Sequence, residues 1–443
     1  MEGQILVGAL APHPPIVVPE VGGREIRRVV ATREALRVLG RTVAEAEPGV
    51  LVMFSPHAPP GREGVPLLEA PLLHGDLGMF GAPQVSMEWR VDGDLLAAIA
   101  EEAEAREVPT VRLARDRMLR YSGTLLDHGL AVPLYYLRAA GMNCPLVATG
   151  ISPLPREQLV RFGEAVARAI ASTGRRAVVI ASGDLSHRLT PGAPAGFDPA
   201  GREFDDRVVA ALREGDLGAL LALDEDLVER AGECGLRPLF MLMGALRDTG
   251  LRPRVVSYEG PFGVGYAVAT WTSPPSWPVE LAFRSLEHYL RHGSVIEPPA
   301  QVPEEFGRRA GAFVSLKKAG DLRGCIGTIE PVRVTLAEEI MYNAISAGTR
   351  DPRFPPVTLD ELPYLDCSVD ILEEPEPVEG FGQLDPSRYG VIVRKGRRTG
   401  LLLPDLEGVD TAEQQVAIAK QKAGIHPDER DVELLRFRVT RYH

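Results

Sequence analysis

The stretch GALAPHPP, residues 8–15, ends an apolar segment that begins at Ile5. Each proline lacks a backbone N–H and restricts the residue before it, so His13 can continue neither a strand ladder nor a helix. The pattern predicts a short buried strand with His13 held rigidly just past its end. A single histidine in a loop is most often only structural, but this arrangement recurs in the chain.

Two further apolar strands end in the same way. The apolar runs at residues 50–54 and 177–181 lead into SPHAP and SGDLSH, which carry His57 and His187. Uninterrupted apolar strands that alternate with helical segments are typical of a parallel sheet covered by helices on both faces. Ligands of such sheets gather beyond the carboxyl ends of the strands. We therefore expect His13, His57 and His187 to lie close together.

The length of the chain and its Pro-rich linker predict two domains. The chain has 443 residues, of which 45% are hydrophobic, and its clearest linker is the Pro-rich segment TSPPSWP. We expect an α/β domain with a mostly parallel sheet covered by helices over residues 1–271, the linker over 272–278, and a smaller α+β domain over 279–443. Within the first domain, the Gly- and Pro-rich residues 60–93 predict an irregular excursion.

Composition excludes several classes of function. The formal net charge of −12 does not favour nucleic-acid or membrane binding. Lysine is absent from residues 1–316, which excludes Schiff-base chemistry and a Walker-A loop there. No apolar run reaches 18 residues, the N-terminus has no basic leader, and no two cysteines form a CxxC pair. We expect a soluble, reduced, cytoplasmic protein.

The histidines suggest a metal site. Two neutral imidazoles and one carboxylate, with open positions beside them, form the facial triad of non-haem Fe(II) enzymes. The open positions let a chelating substrate and O₂ bind side by side. Other polar pairs accompany the histidines, namely Asp127-His128 in LDHGLAVPL and Glu233-Cys234 at the start of an apolar helix. Zn²⁺ accepts the same ligands as Fe²⁺, so the spacing leaves the metal open.

Five motifs, in the order GALAPHPP, FSPHAP, LDHGLAVPL, SGDLSH and AGECGLRPLFMLMGAL, resemble the LigB-type (class III) extradiol ring-cleavage dioxygenases and the related Memo proteins. The resemblance covers about residues 4–270. It implies that His13 and His57 are iron ligands and that an acidic residue is the third ligand, for which we choose Glu233. It also implies ring opening of a diol-like substrate, either a small molecule or a modified macromolecule, by O₂ on Fe²⁺.

The same resemblance suggests roles for residues around the metal. His187 would be the acid/base histidine, and His128 would touch the substrate or its bound oxygen. A histidine that does not ligate the metal suits acid/base work because its pKa lies near neutral pH. We place Asp127 and Ser186, which adjoin these histidines in sequence, among the substrate-binding candidates.

The third ligand has an alternative. The Memo branch carries a cysteine followed by glycine and later proline at this helix, and residues 234–238, CGLRP, match that pattern. A thiolate at Cys234 would argue against ordinary ring cleavage and toward a redox or binding role. Glu259, in a closing strand, is a further acidic candidate. The competing hypotheses are thus an Fe(II) dioxygenase, a Memo-like metal-binding scaffold and a zinc hydrolase.

In the second domain, residues 322–331 (LRGCIGTIEP), 351–355 (DPRFP) and 421–424 (QKAG) resemble the AMMECR-type domain. The segment Arg-Gly-Cys-Ile-Gly predicts a close-packed turn, in which Cys325 is either a small buried residue or a reactive thiol. Arg323 would lower the pKa of that thiol. A chain that combines these two resemblances is similar to the AmmeMemoRadiSam system proteins. This similarity implies a radical-SAM enzyme as partner. We also expect a homo-oligomer.

Overall fold

The structure is a computed structural model that describes residues 3–59, 61–122, 124–406 and 408–443, with only the backbone of residues 121 and 122. The chain divides into two compact units, Met1–Pro274 and Pro275–His443. Within the described ranges, none of the helices has both the length and the apolar character that crossing a bilayer requires.

The first unit contains ten strands and ten α-helices within the described residues. The strands are β1 (Gln4–Ala11), β2 (Val50–Phe54), β3 (Val65–Glu69), β4 (Leu72–Leu77), β5 (Ala82–Arg90), β6 (Thr110–Ala114), β7 (Leu146–Thr149), β8 (Arg176–Ser182), β9 (Arg252–Glu259) and β10 (Tyr266–Thr272). The helices are α1 (Pro19–Gly22), α2 (Val30–Glu45), α3 (Gly93–Glu104), α4 (Arg115–Ser122), α5 (His128–Ala139), α6 (Arg156–Ser172), α7 (Pro199–Glu214), α8 (Leu217–Leu221), α9 (Glu225–Ala231) and α10 (Leu236–Leu246).

One eight-stranded sheet organises this unit, in the order β6-β3-β7-β2-β8-β1-β10-β9. The four central strands β7, β2, β8 and β1 run parallel, and β10 joins β1 antiparallel. Every residue of β2 is buried, which explains its uninterrupted apolar sequence. Helix α10 packs on α6 and contacts β8 and β1, whereas α2 contacts β9 and β10. The α/β prediction is confirmed, and the central strands all end at the same edge of the sheet.

Within the predicted segment 60–93, residue 60 lies outside the described residues, and residues 61–93 differ from the expectation of an irregular excursion. They form β3, which joins the main sheet between β6 and β7, and the hairpin β4–β5. Strand β5 alternates buried Val85, Met87 and Trp89 with exposed residues. This two-residue period is the signal that the glycines and prolines of the segment obscured.

The second unit is α+β, as its sequence predicts. Its helices are α11 (Trp277–His292), α12 (Glu304–Gly307), α13 (Leu336–Thr349) and α14 (Ala412–Lys422). Its strands are β11 (Ala312–Lys318), β12 (Asp321–Gly327), β13 (Leu365–Leu372), β14 (Glu376–Val378), β15 (Gly390–Lys395), β16 (Arg398–Leu402), β17 (Glu433–Phe437) and β18 (Val439–Tyr442). They form two four-stranded sheets, ordered β12-β11-β13-β18 and β14-β17-β15-β16, with antiparallel neighbours.

The segment Arg-Gly-Cys-Ile-Gly lies within strand β12 and is therefore not the turn that its glycines suggest. Gly324 is needed for close packing, because a Cβ there would lie 2.1 Å from the carbonyl oxygen of Ala347 in α13. Gly324 thus marks a close approach between strand and helix rather than a change of chain direction.

Candidate metal centre

His13 is fixed at the end of β1 by two hydrogen bonds. Its backbone N–H donates to Asp184 Oδ1 at 2.9 Å, and its ring Nδ1 lies 2.9 Å from Ser182 Oγ. Both partners follow from the SGDLSH motif, because β8 runs parallel to β1 and pairs Ala11 with Ser182. Burial raises the pKa of Asp184 to about 7.

The Ser182 hydroxyl determines the tautomer of His13. Ser182 donates its single proton in a short hydrogen bond to the carbonyl of Gly129, so it can only accept from His13 Nδ1. The Nδ1 of His13 therefore carries the proton, and its Nε2 presents a lone pair. This orientation by a hydrogen-bonding partner is typical of metal-ligating histidines.

His57 faces that lone pair. Its Nε2 lies 2.9 Å from His13 Nε2. The loop after β2 is held by Ser55, whose Oγ accepts the His57 backbone N–H at 3.2 Å and donates to Asp127 Oδ1 at 2.7 Å. Asp127 also caps α5 by accepting the N–H of Leu130 at 3.1 Å. The buried carboxylate predicted to bind substrate is thus engaged in positioning the His57 loop and the first residue of α5.

Cys234 completes the group. Its Sγ lies 3.7 Å from His13 Nε2, and the ligand atoms of His13, His57 and Cys234 all lie within 4.8 Å of one another. Two glycines permit this approach, because a Cβ on Gly183 would lie 2.2 Å from the Cα of Gly235. The chain after β8 and the start of α10 therefore touch backbone to backbone, which carries Cys234 to the histidines.

Glu233, the preferred third ligand from sequence, is not in this group. Its carboxylate accepts the N–H of Leu236 at 2.6 Å at the start of α10, and burial raises its pKa to about 7. Glu259 accepts the N–H and hydroxyl of Thr32 in α2, at 2.7 and 2.5 Å. The geometry therefore reverses the order of preference between Glu233 and Cys234, because consecutive residues cannot both point at one metal from the same turn.

The other two predicted histidines border the same group. The His128 ring stacks on His57 with centroids 4.1 Å apart, and Phe80 from the β4–β5 hairpin makes an edge-on contact with the same ring, with centroids 5.3 Å apart. His187 is partly buried, and its charge would interact with those of His13 and His57. The structure thus brings together all four histidines that the sequence analysis singled out.

The lowered pKa values of the histidines favour the binding of a cation at this site. Burial, reinforced by neighbouring imidazoles, lowers the pKa of His13 well below its ordinary value and that of His128 to about 4. The pKa values of His57 and His187 are also lowered by burial. Burial, with the nearby Asp184 carboxylate, raises the pKa of the Cys234 thiol, so metal binding must release its proton. Two neutral imidazoles and a thiol fit a transition metal such as iron or zinc.

Ser186 has a structural role in the loop that carries His187. It is fully buried, its hydroxyl donates to the Ala231 carbonyl at 2.9 Å, and it accepts the N–H of Arg188 at 3.0 Å. Its backbone N–H donates to Asp205. Both functions of the hydroxyl are used, so Ser186 orders the loop that carries His187 rather than facing a substrate.

Sequence reasoning missed Ser182 and Asp184 as functional residues. Both lie in the same motif as His187, Ser182 as the last residue of β8 and Asp184 just after it, so their position at the sheet edge was a usable signal. The roles of these two residues could not be predicted from the sequence, because only the register of β8 against β1 places them beside His13.

Cys325 in the second unit has surroundings that differ from the prediction. Arg323 forms a two-point ion pair with Glu361 and donates to the Pro355 carbonyl, so it is not free to lower the pKa of the thiol. Burial raises the pKa of Cys325. The cation beside it is instead Arg353, whose guanidinium donates to the Cys325 carbonyl at 3.3 Å.

Comparison with known proteins agrees with this architecture. Residues 7–269 match the model of the catalytic LigB subunit of aromatic ring-opening dioxygenase, and residues 279–442 match the AMMECR1 model. The chain belongs to the LigB family and carries an AMMECR1 domain behind its LigB domain. It is 40% identical to Protein CA_C1420 of Clostridium acetobutylicum over 98% of both chains.

Other relatives match one part of the chain. A protein of Thermotoga maritima is 60% identical over 37% of this chain and 95% of its own length. Two solved structures are similar to parts of the chain. The uncharacterized protein PH0010 of Pyrococcus horikoshii has 36% identity, a TM-score of 0.36 and coverage of 38% of this chain and 89% of its own. The uncharacterized protein JW3007 of Escherichia coli K12 has 17% identity, a TM-score of 0.40 and coverage of 60% and 100%.

Proposed function

We propose that the first unit is a mononuclear iron site that oxidises a chelating, diol-like substrate with O₂, in the manner of extradiol dioxygenases. The observation that carries the proposal is the pair of imidazoles His13 and His57, whose Nε2 atoms lie 2.9 Å apart, with the His128 ring stacked on His57. When bound, divalent iron would supply a Lewis-acidic, redox-active centre where substrate and O₂ can meet. Membership of the LigB family supports this class of chemistry.

The protein's own residues have separate tasks in this proposal. His187, whose pKa is lowered by burial, is neutral at pH 7 and can accept the proton of a substrate hydroxyl. His128, whose ring contacts those of His57 and Phe80, is the candidate to touch the substrate or its bound oxygen. Ser182 and Asp184 hold His13, and Asp127 with Ser55 holds the His57 loop.

A second function is favoured by one observation, the thiol in place of a carboxylate. A His₂Cys set is softer than the facial triad and also suits zinc or copper. Such a centre would make the unit a Memo-like metal-binding module without ring cleavage. The radical-SAM partner and the homo-oligomer stay predictions under either function.

Metal content separates the two functions. Protein purified without oxygen should contain iron, and addition of catechols in air should consume O₂ and yield yellow ring-fission products. Full zinc occupancy, with no O₂ uptake after the zinc is exchanged for Fe²⁺, would overturn the dioxygenase proposal and favour the binding module.

The third ligand is tested by a matched pair of adjacent variants. Cobalt substitution gives a thiolate-to-metal charge-transfer band if Cys234 ligates. We expect Cys234→Ser to remove that band and weaken metal binding at least about tenfold, whereas Glu233→Gln should keep both. The reverse pattern would restore Glu233 as the ligand.

The role of His187 is tested by His187→Ala. This variant should retain iron at wild-type stoichiometry and lose turnover, by about 10²–10⁴-fold if His187 is the acid/base group. Loss of iron from the variant would make His187 a ligand instead.

A further inference from the structure

Three motifs of the second unit that the metal site does not use meet at one place in the fold. They are RGCIG with Cys325 on β12, DPRFP with Asp351 and Arg353, and QKAG with Lys422 at the end of α14. The backbone N–H of Cys325 donates to Asp351 Oδ2 at 2.9 Å, and Arg353 donates to the Cys325 carbonyl at 3.3 Å. The Lys422 ammonium is near enough to act electrostatically on both the thiol and Arg353.

The Cys325 thiol is partly exposed and accepts a hydrogen bond. The hydroxyl of Ser315, directly opposite it on β11, donates to its Sγ at 3.2 Å. A hydrogen bond donated to sulfur stabilises the thiolate over the thiol, so it offsets part of the rise in the pKa of Cys325 that burial causes. In contrast, Cys367 of the same unit is buried.

One cation near the Cys325 thiol has no carboxylate partner among the described residues. Arg353 pairs with Asp351, and Asp370, which also acts on the thiol, pairs with Arg441. Lys422 has an exposed side chain and forms no ion pair with a carboxylate in the described part of the chain. The half-exposed Arg353 and the unpaired Lys422 therefore offer positive charge to an incoming anion.

We propose that Cys325, Arg353 and Lys422 form a second reactive site, at which the thiol takes up a small electrophile that carries a carboxylate or phosphate. The anionic group binds between the two cations, and the Cys325 sulfur attacks the electrophilic carbon. A sulfur–carbon bond forms, the leaving group departs with its electron pair, and the thiol proton passes to solvent. The proposal uses no residue of the metal centre.

The probe is a pair of alkylating reagents of equal reactivity type, iodoacetate and iodoacetamide. Each forms the same thioether bond and releases iodide, but only iodoacetate is an anion. Cys144 is an internal control in the full-length chain. It is partly exposed, burial also raises the pKa of its thiol, and among the described residues no charged side chain contributes to that shift. Peptide mapping gives both rates at both cysteines in one sample.

We expect the iodoacetate-to-iodoacetamide rate ratio at Cys325 to exceed that at Cys144 by about tenfold at low salt, and the excess to shrink at high salt. Lys422→Gln should remove most of the excess, whereas Lys422→Arg should keep it. Arg397→Gln, which removes an equal charge from the exposed β15–β16 turn, should change nothing. Ser315→Ala should slow both reagents at Cys325.

Two results would overturn the proposal. Equal ratios at Cys325 and Cys144 would mean that the thiol is merely accessible. An excess that survives Lys422→Gln would mean that Lys422 does not recruit the anion. Should Lys422→Gln fail to fold, the salt dependence and the Lys422→Arg variant still decide between these outcomes.

Discussion

The metal centre of the first unit and the thiol site of the second differ in how their residues are assembled. In the first unit, His13 and Ser182 lie at the ends of neighbouring parallel strands, so one sheet edge gathers them. In the second unit, Cys325 lies within an antiparallel strand, and its cations come from a loop and a helix end. A parallel sheet collects chemistry at one edge, whereas an antiparallel sheet has no such edge.

The two sites also differ in charge. In the first, burial keeps the imidazoles neutral and the thiol protonated until a metal displaces the proton. In the second, Arg353 and Arg441 form ion pairs with Asp351 and Asp370, and Lys422 forms no ion pair within the described residues. A site of neutral ligand atoms suits a metal ion, whereas a cationic site suits an anion.

The largest effect should come from breaking the backbone contact that closes the metal site. Gly183→Ala would place a methyl group 2.2 Å from the Cα of Gly235, so α10 must move and carry Cys234 away from His13. We expect a loss of about 3 kcal/mol in the free energy of unfolding and at least about tenfold weaker metal binding. Thermal unfolding and metal titration measure both.

The matched control for Gly183→Ala is Gly192→Ala, where nothing lies within 4 Å of the added Cβ. It should alter neither property. Wild-type metal binding in Gly183→Ala would show that the Gly183–Gly235 contact does not position Cys234.

A smaller effect is expected from Ser182→Ala, which removes the group that fixes the His13 tautomer. Without the acceptor at Nδ1, the ring is free to carry its proton on Nε2, and we expect metal affinity to fall about 10–100-fold with the fold intact. Competition with a chromogenic chelator measures the affinity. Ser152→Ala is the control, because Ser152 is also buried but its hydroxyl bonds the Gly61 carbonyl instead of a metal-binding histidine. Equal affinity in both variants would contradict the tautomer argument.

The smallest effect concerns the ion pairs of the second unit. Burial alone would raise the pKa of Glu361, but hydrogen bonds from Arg323 and Lys318 outweigh it and lower the pKa to about 2. The charged form is therefore the stabilising one. Its contribution is fully present above about pH 4.5 and is lost as the pH falls toward 2.

We therefore expect Glu361→Gln to lower the free energy of unfolding by about 1–3 kcal/mol at pH 7, and by less at each step down toward pH 3. Denaturant unfolding of the full chain at several pH values measures this difference. Glu374→Gln, at an exposed position, should have no effect at any pH. A deficit in Glu361→Gln that stays constant from pH 7 to pH 3 would rule out the ion pair as its cause.

Much of the fold could be predicted from sequence because its signals are local. The apolar runs of β2 and β8 and the prolines around His13 act on adjacent residues, and they identified the sheet and its functional edge. Local signals gave a wrong prediction where a glycine is required by packing against a residue distant in sequence. In β12, Gly324 faces the backbone of α13, 23 residues along the chain, so the segment resembled a turn.

The sequence by itself predicted that His13, His57 and His187 lie at one edge of a parallel sheet, because strand ends and the loops that follow them are specified by adjacent residues. Only the tertiary structure decided whether Glu233 or Cys234 reaches His13. That choice depends on the packing of Gly183 against Gly235, two residues that lie more than 50 positions apart in the sequence. The tertiary structure likewise brought Lys422 to Cys325. Which side chains meet across such distances depends on the register and packing of whole elements, and no local pattern of residues carries that information.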